Sequence, residues 1–241
     1  MGSTRACAIV TCELVAPYPD RPNEGMFTVS SEVAPCASPS GANVSLQLVE
    51  RALRESKAID VEGLCVQAGA RVWSVKLQIV LLDDCGAVAD AASLAALAAL
   101  LHFRRPDVTV VCALRCARMG PAADTRARAA HARAEQTGDA CVVHGLDEKA
   151  PVPLAVHHVP LFITLAFMEE QQALVDPTHV EEAVARGIVA LGLNGHREVC
   201  FASKTGAPMP AAALLAATQR ALELRAERGD VLDAAVLAQP F

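Results

Sequence analysis

The chain has 241 residues, of which 53% are hydrophobic and 3% aromatic, and a formal net charge of −6. That length can bury one large core or two smaller ones, and the acidic balance argues against a free-standing nucleic-acid binder, leaving room for a local basic patch. A mean hydropathy of +0.31 hints at a membrane, yet much of it is alanine, and no uncharged apolar run reaches the roughly 18 residues that a span requires.

The first residues, "MGSTRACAIVTCE", show no basic region followed by an apolar block and a cleavage site, so a cytosolic or nuclear address is expected. Nine cysteines, at 7, 12, 36, 65, 85, 112, 116, 141 and 200, are an odd, scattered set. Reduced thiols acting as small core residues are expected.

Ala6 to Val15 alternates like a strand and runs into "APYPDRPNEG", a proline-rich loop. "MFTVSSEV" reads as a second strand and "APCASPSGANVS" as a connector. The stretch 45–59, "SLQLVERALRESKAI", places Leu46, Val49, Leu53 and then Lys57 at helical spacing, with Arg51, Arg54 and Glu55 towards solvent. In "VWSVKLQIVLL", Trp73, Val75, Leu77, Ile79 and Leu81 alternate with Ser74, Lys76 and Gln78, which predicts a strand with one buried and one wet face. After the turn "DDCGAV", Asp90 is placed as an N-cap and "AASLAALAALLHF" as a helix buried nearly all round. "DVTVVC" is a strand.

The segment Ala113 to Ala150 mixes Ala, Arg, Asp and Gly with few large apolar residues and reads as an insertion, part helical or disordered, between halves at 1–112 and 151–241. "VPLAVHHVPLFITLAFM" and "ALV" then lead to an acidic turn, "VDPTHVEE". "GIVALGL" and "HREVCFAS" flank Asn194-Gly195, a pair suited to a two-residue hairpin turn. A final helix follows, with Pro210 near its start and Gly229 as its stop signal. The class is α+β.

Two clusters carry possible chemistry. Asp176, Glu181 and Glu182 stand at a strand end, where carboxylates can serve as acids or bases. Cys112-x3-Cys116 with His131, Cys141 and His144 loosely matches two halves of a zinc site; no metal or other cofactor is expected to be bound, and a zinc-stapled adaptor remains an alternative. The adjacent His157 and His158 stand at the entry to a strand, where neighbouring residues point to opposite faces, so they suit core or interface positions better than one metal.

The blocks "CELV", "ERALRESKAID", "LCVQAG", "VW", "DAASLAALAALLHFRRPDV", "VPLAVHHVPL", "LVDP" and "GHREVC" occur in order and at the approximate spacing of a known family. On these blocks, from Thr4 to about Arg225 except the insertion, the chain resembles the RNase PH-like subunits of the eukaryotic exosome. The resemblance implies an α+β fold of mixed sheets packed on helices, the β-α RNase PH fold, also called ribosomal protein S5 domain 2-like. It implies one place in a hexameric ring of RNase PH-like subunits, with cap subunits, associated nucleases and RNA as partners and no membrane. It also implies work in rRNA maturation and mRNA turnover in the nucleus, nucleolus and cytoplasm. Family members usually begin with a helix and a hairpin containing Asp-Gly-Arg, whereas this chain starts inside a strand, so an amino-terminally shortened form is expected.

The resemblance also bears on the acids. Phosphorolytic members carry an Asp and a second Asp six residues on, positions that fall on Asp176 and Glu182. They also hold phosphate with a loop reading Asp-(Gly/Ala)-Gly-(Thr/Ser)-Arg, because attack of one anion on another needs fixed positive donors. Here the loop is Asp84-Cys85-Gly86-Ala87-Val88, without hydroxyl or guanidinium. No phosphorolytic activity is expected; a phosphate-dependent 3′-exoribonuclease is the enzyme alternative.

RNA-binding candidates by the same resemblance are Arg51, Arg54 and Lys57 on the first helix. Pairing with Glu50 and Glu55 on a solvated face is their other reading. Arg104 and Arg105 are further RNA candidates, although both stand where a buried helix ends and can offset its dipole. The connector "VAPCASPSG" has no Lys or Arg, which weakens any intrinsic affinity for RNA.

Overall fold

The computed structural model describes residues 2–37, 42–110, 141–145, 148–168 and 173–237. Its layers follow from which faces the elements bury. The first sheet joins β1 (Arg5–Val15), β2 (Met26–Val33), β3 (Cys65–Gln67) and β4 (Arg71–Asp83), with β4 between an antiparallel β1 and a parallel β2. Trp73, Val75, Leu77, Ile79 and Leu81 are all buried, as their alternation predicts. Ser74, expected on the wet face, is also buried, at 5% exposure.

Helices α1 (Ala42–Glu55) and α2 (Val88–His102) form the next layer. Leu46, Val49 and Leu53 of α1 and Ala92, Ala96, Leu97 and Leu100 of α2 enter one core with β4. The helix predicted for 45–59 stops at Glu55, and Lys57 takes a left-handed backbone (φ 52). Ile59, freed from the helix, bridges Val156.

The second sheet is antiparallel, in the order β10 (Ala173–Val175), β9 (Leu161–Phe167), β11 (Gly187–Leu193), β12 (Val199–Gly206). Every residue of β9 is buried because helices cover both its faces. Phe162 joins the core beneath α2, whereas Ile163 and Leu165 pack with Ala217 and Ala221 of the last long helix, α4 (Ala211–Leu237). The short α3 (His179–Val184) lies between β10 and β11.

Two small strand pairs complete the described part: β5 (Arg104–Arg105) with β8 (Val152–Pro153), and β6 (Val108–Val110) with β7 (Cys141–Val143). The insertion expected at 113–150 lies outside the described residues, apart from 141–145 and 148–150. No helix among the described residues is long and apolar enough to cross a membrane.

Three local expectations are corrected. Asp90 is not an N-cap. The cap position is Ala87, and Asp90 sits inside the first turn of α2 with no solvent exposure. The β11–β12 connection is not a two-residue turn, because Leu193 pairs with Val199. Asn194 organises it instead: its Oδ1 accepts the N–H groups of His196 and Glu198, and the positive φ falls on Arg197 (φ 63). Gly229 does not end α4, since Leu232, at 2% exposure, continues the buried face beyond it.

Candidate functional site

The acidic turn packs against the loop that opens α2. Gly86 has φ 108, and a Cβ there would lie 2.3 Å from the Pro177 carbonyl oxygen and 2.6 Å from the His179 nitrogen. Only glycine lets the two backbones approach so closely. The His179 N–H donates to the Cys85 carbonyl at 3.1 Å, while Thr4 Oγ1 donates to the Gly86 carbonyl at 2.5 Å and accepts the Cys85 N–H at 3.1 Å.

This contact brings Glu182 to the start of α2, where its Oε1 accepts the Ala87 N–H at 2.9 Å. The first N–H groups of a helix have no partner within it and carry its partial positive charge, so they attract an anion. Glu182 supplies that anion from within the chain. Burial pushes its carboxyl above the ordinary carboxylate range against the pull of the Ala87 N–H, and Asp84 and Asp90 push it further.

The other two acids of the trio have different surroundings. Glu181 closes a capping box: its Oε2 accepts the Thr178 N–H and hydroxyl, each at 2.8 Å, and the Glu181 N–H donates back to Thr178 Oγ1 at 3.4 Å. Those bonds hold its carboxyl below the usual range. Asp176 takes a left-handed backbone (φ 58) after β10, a conformation that aspartate tolerates better than most residues.

A cleft of about 320 Å³ opens beside Glu182, and Ser45, Asp84, Thr164, His179, Ser203 and Thr205 supply the rest of its polar lining. Among the described residues no lysine or arginine lines it. Attack of phosphate on a phosphodiester would concentrate negative charge here with no lysine or arginine among the described residues to offset it.

Sequence reasoning missed the polar link behind this cleft. Asp90 accepts from Thr164 Oγ1 at 2.7 Å and from Arg228 Nη1 at 2.5 Å, tying α2, β9 and α4 together. Burial pushes the Asp90 carboxyl up while Arg228 pulls against it. Arg228 is one of three arginines in a helix that also carries four acids, so the sequence offered no signal that singled it out.

The RNA-binding candidates are not brought together. Arg51 pairs with Glu55 at 2.9 Å, and Arg54 with Glu50 at 2.7 Å, all on the exposed side of α1. Arg54 and Lys57 line a cleft of about 660 Å³ with Tyr18, Arg21, Asp60 and His157, and Arg51 is not among its lining. Arg104 turns back onto the end of α2, donating to the Leu101 carbonyl at 2.8 Å and the Phe103 carbonyl at 3.1 Å. Arg105 lines a separate pocket with Cys65 and Trp73.

His157 and His158 stand just ahead of β9. His157 Nε2 lies 3.9 Å from Asp60, while His158 Nε2 is buried without a hydrogen-bond partner and burial lowers its pKa. Of the metal candidates, Cys112, Cys116 and His131 lie outside the described residues. Cys141 Sγ donates to Gln67 Oε1 at 3.8 Å, and His144 lies between Thr109 (2.7 Å) and Glu148 (3.2 Å). Among the described residues no group of three or more His, Cys, Asp or Glu side chains is placed to hold a metal.

Comparison with known proteins agrees with this architecture. Residues 1–106 match the 3′ exoribonuclease family, domain 1, and residues 158–223 match its domain 2. Exosome complex component RRP45B of Arabidopsis thaliana is 39% identical over 86% of this chain, which spans 44% of that protein. Exosome complex component RRP45A of the same plant is 39% identical, with 62% of its length covered. Exosome complex component RRP45 of Saccharomyces cerevisiae is 32% identical over 89% of this chain and 70% of its own length. Among solved structures, the Archaeoglobus fulgidus exosome with RNA bound to the active site matches with a TM-score of 0.71 at 24% identity, covering 96% of this chain and 80% of that one; it shows the fold. The two-domain match and the RRP45 relatives place this chain in the 3′ exoribonuclease family, among the RRP45-type exosome components.

Proposed function

We propose that this chain is a non-catalytic ring subunit of the RNA exosome, supplying ring contacts and part of an RNA channel for 3′-to-5′ processing and decay. Its partners are the other RNase PH-like subunits of a hexameric ring, cap subunits, associated nucleases and RNA. It works in the nucleus, nucleolus and cytoplasm, without a cofactor. Residues 1–112 and 151–241 act as the two RNase PH-like halves, with 113–150 inserted between them.

The observation that carries this reading is the occupation of the α2 N-terminus by Glu182. A phosphate approaching the Ala87 N–H meets a carboxylate, and no lysine or arginine among the described residues lines the cleft to offset its charge. Asp176, Glu181 and Glu182 then serve the fold: a turn, a cap and an internal anion. Arg54 near the end of α1 and Lys57 just beyond it are the cations that would touch an RNA backbone, Arg51 stands about one turn earlier on α1, and Arg104 and Arg105 serve packing.

Reconstitution tests the ring assignment. Mixed with the other RNase PH-like subunits of its own organism, the chain is expected to co-elute with them in stoichiometric amount as one large species. A ring that forms completely without it, and leaves it unbound, would contradict the assignment.

A further inference from the structure

Trp73 is the only tryptophan in the chain. It stands near the start of β4 and is 4% exposed, yet its indole N–H has no acceptor among the described residues. Nor is that nitrogen one of the polar atoms wholly shut off from solvent without a partner, so it opens to the space beside the ring. A buried donor without an acceptor costs free energy and calls for an explanation. The space is a pocket of about 200 Å³ where β4 meets β3, β5, β6 and β8, and Trp73, Arg105, Asp107, Val108, Val110 and Val152 line it.

Arg105 is the second donor left over. Its neighbour Arg104 is spent on carbonyls at the end of α2. Packing sets where Arg105 sits, but no carboxylate among the described residues pairs with its guanidinium. Its charge reaches Cys12, and because burial pushes that thiol up, no thiolate answers it. Asp107 shares the pocket but is already engaged: Oδ1 accepts the Val108 N–H and Oδ2 accepts Lys149 Nζ, each at 2.9 Å. Lys149 holds the Asp107 carboxyl below the usual range and offsets its charge. One net positive charge remains.

We propose that this pocket binds a single carboxylate on a short apolar stem, with the Arg105 guanidinium and the Trp73 N–H as its donors. The planar fork of a guanidinium matches the two oxygens of a carboxylate, and an indole N–H, which can only donate, needs an acceptor of the same kind. One net positive charge suits a monoanion. A phosphate dianion would set its second charge against Asp107. The valine walls take up the stem. Two sources share this chemistry, a free short-chain acid and the carboxyl terminus of a peptide. The pocket has no lining residue in common with the Glu182 cleft or with the cleft of Arg54 and Lys57, so its failure would leave the ring assignment untouched.

Because the chain has a single indole, its fluorescence and its one indole N–H signal in a proton–nitrogen correlation spectrum both report on the pocket. Sodium butyrate, titrated into the 241-residue chain at constant ionic strength, is expected to move both saturably, with an apparent Kd of about 1–10 mM for so small a ligand. The N–H proton should move downfield as it gains an acceptor. Butyramide and inorganic phosphate should leave both signals in place. Arg105→Gln should weaken butyrate binding about ten-fold or more, and Asp107→Asn, which removes the neighbouring negative charge, should tighten it about three-fold. N-acetylleucine, which carries the carboxyl end of a peptide, separates the sources: binding about ten-fold tighter than butyrate assigns the pocket to a chain terminus, and equal or weaker binding assigns it to a free acid. An indole signal indifferent to butyrate, or one that answers butyramide or phosphate equally, would overturn the proposal. So would undiminished binding by Arg105→Gln with a native far-UV spectrum. If that variant fails to fold, the contrast between butyrate and butyramide on the wild-type chain still decides.

Discussion

Glu182 Oε1 accepts the backbone N–H of Ala87 at 2.9 Å across 95 residues of sequence, so the helix end that would draw in a phosphate is already satisfied by the protein's own carboxylate. The sign of its pH dependence follows from its raised pKa. A carboxyl raised on folding contributes stability that is fully present below the unfolded value, about 4.3, and lost as pH rises through the folded value. Glu182→Gln keeps an oxygen for Ala87 and removes the buried charge. Its stability relative to wild type should therefore rise as pH goes from about 4 to 7. Denaturant curves at several pH values check this, and a difference that falls with pH would contradict it.

Gly86→Ala tests the close approach of the two loops. A Cβ 2.3 Å from the Pro177 carbonyl oxygen, on a backbone with φ 108, should cost about 2–4 kcal/mol. Urea unfolding measures it. A loss below about 0.5 kcal/mol, the ordinary range for a harmless surface change, would mean that the contact is loose.

The Asp90–Arg228 pair predicts strong coupling. With Asp90 fully buried and the Arg228 side chain 16% exposed, removing one partner strands the other, and Asp90→Ala should cost about 3–5 kcal/mol. The double variant Asp90→Leu/Arg228→Met should cost well below the sum of its single changes, by at least about 1.5 kcal/mol. Additive losses in thermal or denaturant unfolding would show that the pair acts as two independent groups.

How much of this was legible in the sequence depended on the range of the interaction. The alternation of Trp73 to Leu81 and the apolar run 91–101, interrupted only by Ser93, are local signals, so β4 and α2 could be read directly. Asp90 was misread because its partner, Arg228, lies 138 residues away, and near a helix start a buried aspartate resembles a cap. Gly229 was taken as a stop because the pull of Leu232 into the core is tertiary. Asn194-Gly195 fits a two-residue turn, but asparagine has a second local option, and here its side chain accepts two backbone N–H groups within four residues. At the site, the acids and the missing Thr/Ser-Arg pair were visible as residue types. The acceptor role of Glu182 was not, since its donor is a backbone N–H, which carries no sequence signature.

RNA contact is expected to be weak and salt-sensitive. Arg54 and Lys57 share a cleft with Asp60, Glu24 and Glu62, so few phosphates can be neutralised, and the little affinity they supply should decline with added salt in proportion to those few contacts. Filter binding of single-stranded RNA to the assembled ring is expected to weaken by about three-fold or more for Arg54→Glu/Lys57→Glu. Unchanged RNA protection would remove these residues from the channel.

The most direct measurement is release of nucleoside diphosphates from oligoadenylate by the purified chain in phosphate and magnesium. The filled helix N-terminus and the loop without a cation predict no phosphate-dependent product above the blank, for wild type, for Asp176→Ala and for Glu182→Gln alike. Phosphate-dependent diphosphate release by the wild-type chain, abolished by Asp176→Ala, would contradict the non-catalytic assignment.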